Sequence, residues 1–199
     1  MVSGVTFHRR EPLRVSQTGL IHPQDSAAQI PAPFITQRFI DRRIRDLAFH
    51  IAHDYHGKDL QLLVVLKGAK PFADGLITEL RKAPLRLFVH EVAVSSYKGT
   101  TSTGTVTLKE EIPKLSSHSV LVVEDIVDTG RTAKFLLNYL HQRGIKEIGV
   151  CALLHKKTKT EVLLPLQYVG FEVPNIYLVG FGLDYNEQYR ELPYIGKLK

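Results

Sequence analysis

The apolar positions of this chain change period several times, and each change marks an element. From Thr36, a plausible N-cap, Phe39, Ile40, Ile44, Leu47, Ala48 and Ile51 recur at helical spacing until Gly57 stops the run. The opposite side carries Arg38, Arg42, Arg43 and Arg45, which read as a solvated face in preference to a nucleic-acid stripe. Residues 60–66 are almost continuously apolar and short, the pattern of a buried strand. A helix is predicted over 71–81 and an alternating strand over 85–94. Residues 95–105, rich in Ser, Thr and Gly, form a loop with little to bury. Residues 119–123 are a second buried strand, leading through Glu124 and Asp125 into a turn at Asp128, Thr129 and Gly130. The helix that follows, over 132–143, presents Phe135, Leu136, Leu137 and Leu140 and stops at Gly144. Strands are also expected over 147–154 and 176–181.

Strands alternating with helices of this length predict an α/β fold with a parallel, doubly wound sheet. Ligands of such sheets bind at the carboxyl ends of the strands, so the residues just past each strand are the ones to examine. Residues 1–33 differ from the rest. Pro12, Pro23, Pro31 and Pro33 break any period, and the segment reads as an irregular N-terminal extension to a domain spanning 34–199.

Composition narrows the partners only a little. The 26 Lys and Arg against 20 Asp and Glu give a net charge of +6, compatible with nucleic acid, an anionic surface or a small polyanion. The single cysteine, Cys151, excludes an intramolecular disulfide and a cysteine-rich zinc site. No apolar run reaches the ~18 residues that would span a membrane, and 1–10 lack the apolar core of a secretory signal, so a soluble, cytoplasmic protein is expected. His50, His53 and His56 fall near one helical face, but only Asp54 accompanies them, and they read as surface or packed histidines.

The stretch from Val120 to Thr132 carries the most chemistry. Two adjacent acids at a strand end, Glu124 and Asp125, can accept hydrogen bonds from paired hydroxyls such as those of a ribose. Asp128, Thr129, Gly130, Arg131 and Thr132 bring backbone N–H groups and hydroxyls to a helix N-terminus, a natural site for a phosphate. An ordinary strand–turn–helix capped by Asp128 or Thr129 explains the turn equally well, but it has no need of the two acids upstream.

This segment resembles the phosphoribosyl-pyrophosphate (PRPP) motif of the type I phosphoribosyltransferases. With Leu66-Lys67-Gly68, Ser95-Ser96-Tyr97, Ser102-Thr103-Gly104, Lys156, the run from Val179 to Tyr185 and the tail from Tyr189 to Gly196, the chain is similar over about 34–199 to their purine branch, the hypoxanthine (guanine/xanthine) phosphoribosyltransferases, and more to shorter bacterial members than to vertebrate ones. The resemblance implies a type I phosphoribosyltransferase fold, a parallel sheet core flanked by helices with a small hood from the N- and C-terminal segments. It implies purine salvage: PRPP and hypoxanthine or guanine give IMP or GMP and pyrophosphate, with Mg2+, in a homodimer or homotetramer.

Residue by residue, the resemblance gives Glu124 and Asp125 the ribose hydroxyls and 128–132 the 5′-phosphate. Asp128 becomes the general base or acid at purine N7. Lys67 and Gly68, after a cis peptide at Leu66–Lys67, and Arg190 take pyrophosphate, although many relatives have a second glycine where this chain has Ala69. Lys156, in preference to its neighbour Lys157, donates to the 6-oxo group. Tyr177 stacks on the base and Leu178 offers backbone to its edge. Ser96 and Tyr97 belong to a mobile lid, and Asp184 holds the metal, with Glu124 and Asp125 as further candidates. Two rivals remain: a xanthine-preferring enzyme, and a PRPP-sensing regulator of the same fold, which would have no need of Asp128, Lys156, Asp184 and Arg190 together.

Overall fold

The computed structural model describes residues 13–14, 30–96, 106–115 and 119–198. Strands β1 (Leu13–Arg14), β3 (Asp59–Leu66), β4 (Arg86–Ser96), β5 (Val106–Leu108), β6 (Ser119–Val127), β7 (Glu147–His155) and β8 (Leu166–Glu172) form one sheet in the order β1-β8-β7-β6-β3-β4-β5. Every neighbouring pair is parallel except β4 and β5. A second, antiparallel sheet joins β2 (Pro33–Ile35), β10 (Ile195–Lys197) and β9 (Leu178–Val179), a small hood built from residues 33–35 and two segments near the C-terminus.

Alternation along the buried strands feeds two cores. Leu60, Leu62 and Val64 face α1 (Gln37–Asp54) and α2 (Lys70–Leu80), whereas Leu63 and Val65 share the other face with Leu136 and Leu140 of α3 (Arg131–Gln142). This two-sided burial explains why the central strands read as continuous apolar runs. Among the described residues, no helix is long and apolar enough to cross a membrane.

Several expectations change. Thr36 holds the N-cap position of α1 and its carbonyl accepts from Phe39 and Ile40, but its side chain makes no capping bond. Phe39 is 58% exposed, off the apolar stripe that Ile40, Ile44, Leu47, Ala48 and Ile51 form. Arg43 is not on a solvated face: its Nε and Nη2 donate to the carbonyls of Gly170 and Val169, 2.9 and 2.8 Å away, tying α1 to β8. The strand expected over 176–181 shortens to Leu178–Val179, because Gly180 (φ 92°) and Phe181 (φ 49°) turn the chain and Gly180 N bonds Leu183 O. Strand β6 runs on through the acids to Val127. β8 has no expected counterpart in the sequence pattern because glycine interrupts its apolar run; a Cβ on Gly170 would lie 2.4 Å from Leu153 O, so β7 packs where a side chain would be.

Candidate active site

Three adjacent parallel strands, β3, β6 and β7, end on the same edge, and each hands over directly to a chemically armed loop. Lys67 and Gly68 follow β3, 128–130 follow β6, and Lys156 follows β7.

The acids sit at the centre of this edge. Glu124 is 5% exposed and its Oε1 has no hydrogen-bond partner. Burial, reinforced by the neighbouring Asp125, pushes its carboxyl up to about 8. Asp125 is pushed up to about 6, again chiefly by burial, with Ile126 N–H and Arg190 pulling the other way. Its Oδ1 accepts from Ile126 N at 2.9 Å, and its Oδ2 occupies the space where Gly68 would carry a side chain. Gly68 in turn abuts Gly182, whose own Cβ would lie 2.0 Å from Gly68 O. Asp125, the loop after β3 and the turn at 180–184 thus stack with no room between them. The peptide Leu66–Lys67 is cis.

Arg190 closes this stack. Its Nη1 donates to Gly182 O at 2.8 Å, and its Nη2 lies 2.8 Å from Asp184 Oδ1 and 3.3 Å from Glu187 Oε1. Asp184 Oδ2 accepts from Glu187 N. Lys67 Nζ reaches the other oxygen of Glu187 at 3.1 Å, and these two cations hold that carboxyl below the usual range. Lys67, Arg190 and Asp184, far apart in sequence, therefore meet around Glu187, which sequence reasoning missed. Its only signal was a carboxylate three residues from both Asp184 and Arg190.

The turn after β6 is built for close approach. Gly130 is left-handed (φ 83°) at the N-cap of α3, where the first amides have no helical acceptor. Val162 and Leu164 fill the space a Cβ at Gly130 would take. Thr129 O accepts from Glu161 N, and the Arg131 side chain turns away to Glu161 Oε2, leaving Thr129 and Thr132 half-buried at the loop.

Asp128 and Lys156 come together beside it. Lys156 is 7% exposed and its Nζ lies 3.6 Å from Asp128 Oδ2, whereas Lys157 faces outward to Glu172. Lys159, which sequence reasoning also passed over, donates to the same Oδ2 at 2.7 Å. Tyr177 is 52% exposed and packs edge-to-face on Tyr185 at 5.4 Å, next to Asp184, while Leu178 is buried in the hood. Ser95 and Ser96, expected to begin the loop, instead end β4, and the Ser96 side chain, Tyr97 and the remaining lid residues to 105 lie outside the described residues.

Residues 36–186 match the phosphoribosyl transferase domain family. The chain belongs to that family. Among curated proteins it is 38% identical over 191 residues to the hypoxanthine-guanine phosphoribosyltransferase of Mycobacterium tuberculosis, covering 92% of this chain and 91% of that one. It is 35% identical over 167 residues to the Dictyostelium discoideum protein of the same name, covering 82% and 93%. A crystal structure of a hypoxanthine-guanine phosphoribosyltransferase from Bacillus anthracis superposes with a TM-score of 0.79 at 33% identity, covering 86% of this chain and all of the other.

Proposed function

We propose that this chain is a hypoxanthine or hypoxanthine-guanine phosphoribosyltransferase. It transfers the 5-phosphoribosyl group of PRPP to hypoxanthine and/or guanine, yielding IMP or GMP and pyrophosphate, a reaction of purine salvage. The observation that carries the residue assignments is the junction at the end of β6, where the buried Glu124 and the half-buried Asp125 lead into the amide-lined start of α3. A ribose 5-phosphate needs both halves at that spacing.

Glu124 and Asp125 take the ribose hydroxyls, and 128–132 take the 5′-phosphate. Lys67, Gly68 and Arg190 receive the pyrophosphate; the fork of Arg190 suits two phosphate oxygens, and exchange of the Glu187 carboxylate for phosphate keeps the cations paired. Lys156 donates to the 6-oxo group; an ammonium cannot accept a hydrogen bond, so an amino group there finds no partner and adenine is disfavoured. Asp128 Oδ1, buried and without a partner, is the atom offered to purine N7. The exposed face of Tyr177 stacks on the base.

The donor set also fits Mg2+. Asp184, Glu124 and Asp125 offer only hard oxygen ligands, and Glu124 Oε1 is buried with no hydrogen-bond partner. Mg2+ is commonly held by a few carboxylates plus substrate oxygens and water. When bound, Mg2+ supplies positive charge against the pyrophosphate as it departs. Self-association as a homodimer or homotetramer and a cytoplasmic location belong to the same proposal.

The test is a parallel assay of the purified chain with PRPP, Mg2+ and hypoxanthine, guanine, xanthine or adenine. Formation of IMP or GMP with no AMP is expected. PRPP binding without turnover of any base would overturn the enzymatic reading in favour of a sensor, and preferential XMP formation would move the assignment to xanthine.

A further inference from the structure

The two oxygens of Asp128 have unequal surroundings. Oδ1 is buried with no hydrogen-bond partner, whereas Oδ2 receives Lys159 Nζ at 2.7 Å and has Lys156 Nζ 3.6 Å away. Lys156 is nearly buried, but the Lys159 side chain is 39% exposed and reaches in from solvent. The segment carrying Lys159 holds the whole loop from one side. Thr160 Oγ1 donates to Asp128 O at 3.0 Å, Glu161 N donates to Thr129 O at 3.0 Å, and Glu161 Oε2 pairs with Arg131.

We propose that Lys159 is a positioning residue for the transfer reaction: by occupying Oδ2 of Asp128 it fixes the orientation of that carboxylate and keeps the Lys156 ammonium available to the oxo group of the purine. This rests on the base-site roles given above to Asp128 and Lys156. A carboxylate flanked by two ammonium groups bonds the nearer one, and charge-assisted hydrogen bonds are the strong ones. With Lys159 in place, Lys156 stays beyond hydrogen-bond distance of Oδ2. Without it, Lys156 closes the 3.6 Å gap. The ammonium must then be pulled from a carboxylate before it can donate to the base, and Asp128 swings so that Oδ1 no longer faces N7. The acids at 124–125 and the helix amides that bind PRPP are untouched by this exchange.

Lys159→Met removes the charge while keeping the length of the chain, Lys159→Gln is a second neutral variant, and Lys159→Arg retains the charge. The readouts are KM for hypoxanthine, KM for PRPP, kcat, and PRPP affinity by calorimetry, with melting temperature as a control on folding. For both neutral variants, kcat/KM for hypoxanthine should fall on the order of tenfold, through KM as well as kcat, while PRPP affinity stays within about twofold. Arginine should restore most of the loss. In a Lys156→Met background, Lys159→Met should raise the hypoxanthine KM no further. Unchanged base kinetics, or equal losses for base and PRPP, would overturn the proposal; the second result would reduce Lys159 to a structural tie of the loop. Asp128→Asn separates the two levels of inference. If it turns over normally, the assignment of Asp128 fails; if it is impaired and the Lys159 variants are not, only the role of Lys159 fails.

Discussion

Replacing Gly68 by alanine tests whether the seat of Asp125 is what the loop after β3 provides. A Cβ at residue 68 would lie 1.7 Å from Asp125 Oδ2 and 2.7 Å from its Cγ, far inside van der Waals contact. Gly68 is not at positive φ, so the backbone tolerates alanine and the side chain of Asp125 is what must yield. The carboxylate has to move by more than about 1 Å, and a displacement of that size in a positioning group costs about 10²-fold in rate. Stability should change little. Burial already raises the Asp125 carboxyl to about 6, so a rotation toward solvent returns part of that desolvation penalty. Gly68→Ala should therefore lower kcat/KM for PRPP by about 10²-fold, equivalent to about 2.7 kcal/mol, while the urea midpoint barely moves.

Gly182→Ala is the matched contrast. Its Cβ would lie 2.0 Å from a backbone atom, Gly68 O, and Gly182 has φ 95°, which an L side chain rarely adopts. Left-handed strain alone is about 1–2 kcal/mol, and neither backbone has a side-chain rotation by which to escape. This variant should lose stability and PRPP turnover together. If Gly68→Ala instead unfolds the protein as readily as Gly182→Ala, or if it keeps normal PRPP kinetics, the stacking of Asp125 on Gly68 is not what organises the site.

Asp128→Asn should lower kcat by at least about 10²-fold in single-turnover assays while leaving PRPP affinity within a few-fold; equal loss in both would remove its role in proton transfer. Arg43→Met should lower the unfolding free energy by about 2 kcal/mol in urea titrations, since two strand carbonyls lose their donors, and Arg43→Lys should recover less than half because an ammonium lacks the fork. At Glu147, burial would raise the carboxyl, but hydrogen bonds from Lys58 and Ser119, both 2.6 Å, outweigh it and hold it below its ordinary value of 4.5. A folded pKa below the unfolded one adds stability above pH 4.5 that is lost as pH falls through the folded value. Glu147→Gln should thus cost about 1 kcal/mol at pH 7 for this partly exposed pair, and the gap to the parent should close in denaturation curves as pH falls below the ordinary carboxyl value.

What the sequence reveals and what it hides divide along a physical line. The strand segments at 60–66, 119–123 and 147–154 are buried on both faces, so their nearly continuous apolar runs are legible, and the rule that ligands meet strand ends then points to the 124–132 segment. Lys67 and Lys156 also follow strands, but only the family resemblance singles them out. β8 is legible only in hindsight, because what its packing against β7 selects at Gly170 is an absent side chain. Arg43 belongs to a four-arginine stripe and nothing local marks it as the one that turns inward to β8.

The same limit applies at the site itself. Periodicity and local motifs place groups whose partners lie within a turn or so: two acids at a strand end, a glycine at a helix start. Glu187 meets Lys67 across 120 residues, and Lys159 meets Asp128 across 31. In a run of Lys156, Lys157 and Lys159, spacing cannot say that the first lies beside Asp128 at 3.6 Å, the second pairs outward with Glu172, and the third bonds Asp128. The path of the chain after β7 decides that, through Thr160 bonding back to Asp128 O and Glu161 to Thr129 O. The acids and the phosphate turn at 124–132 were thus visible as a local pattern, and the other residues that present chemistry were visible through the family resemblance. Those that orient them are visible only once tertiary structure brings distant segments together, and Lys159 and Glu187 are of this second kind.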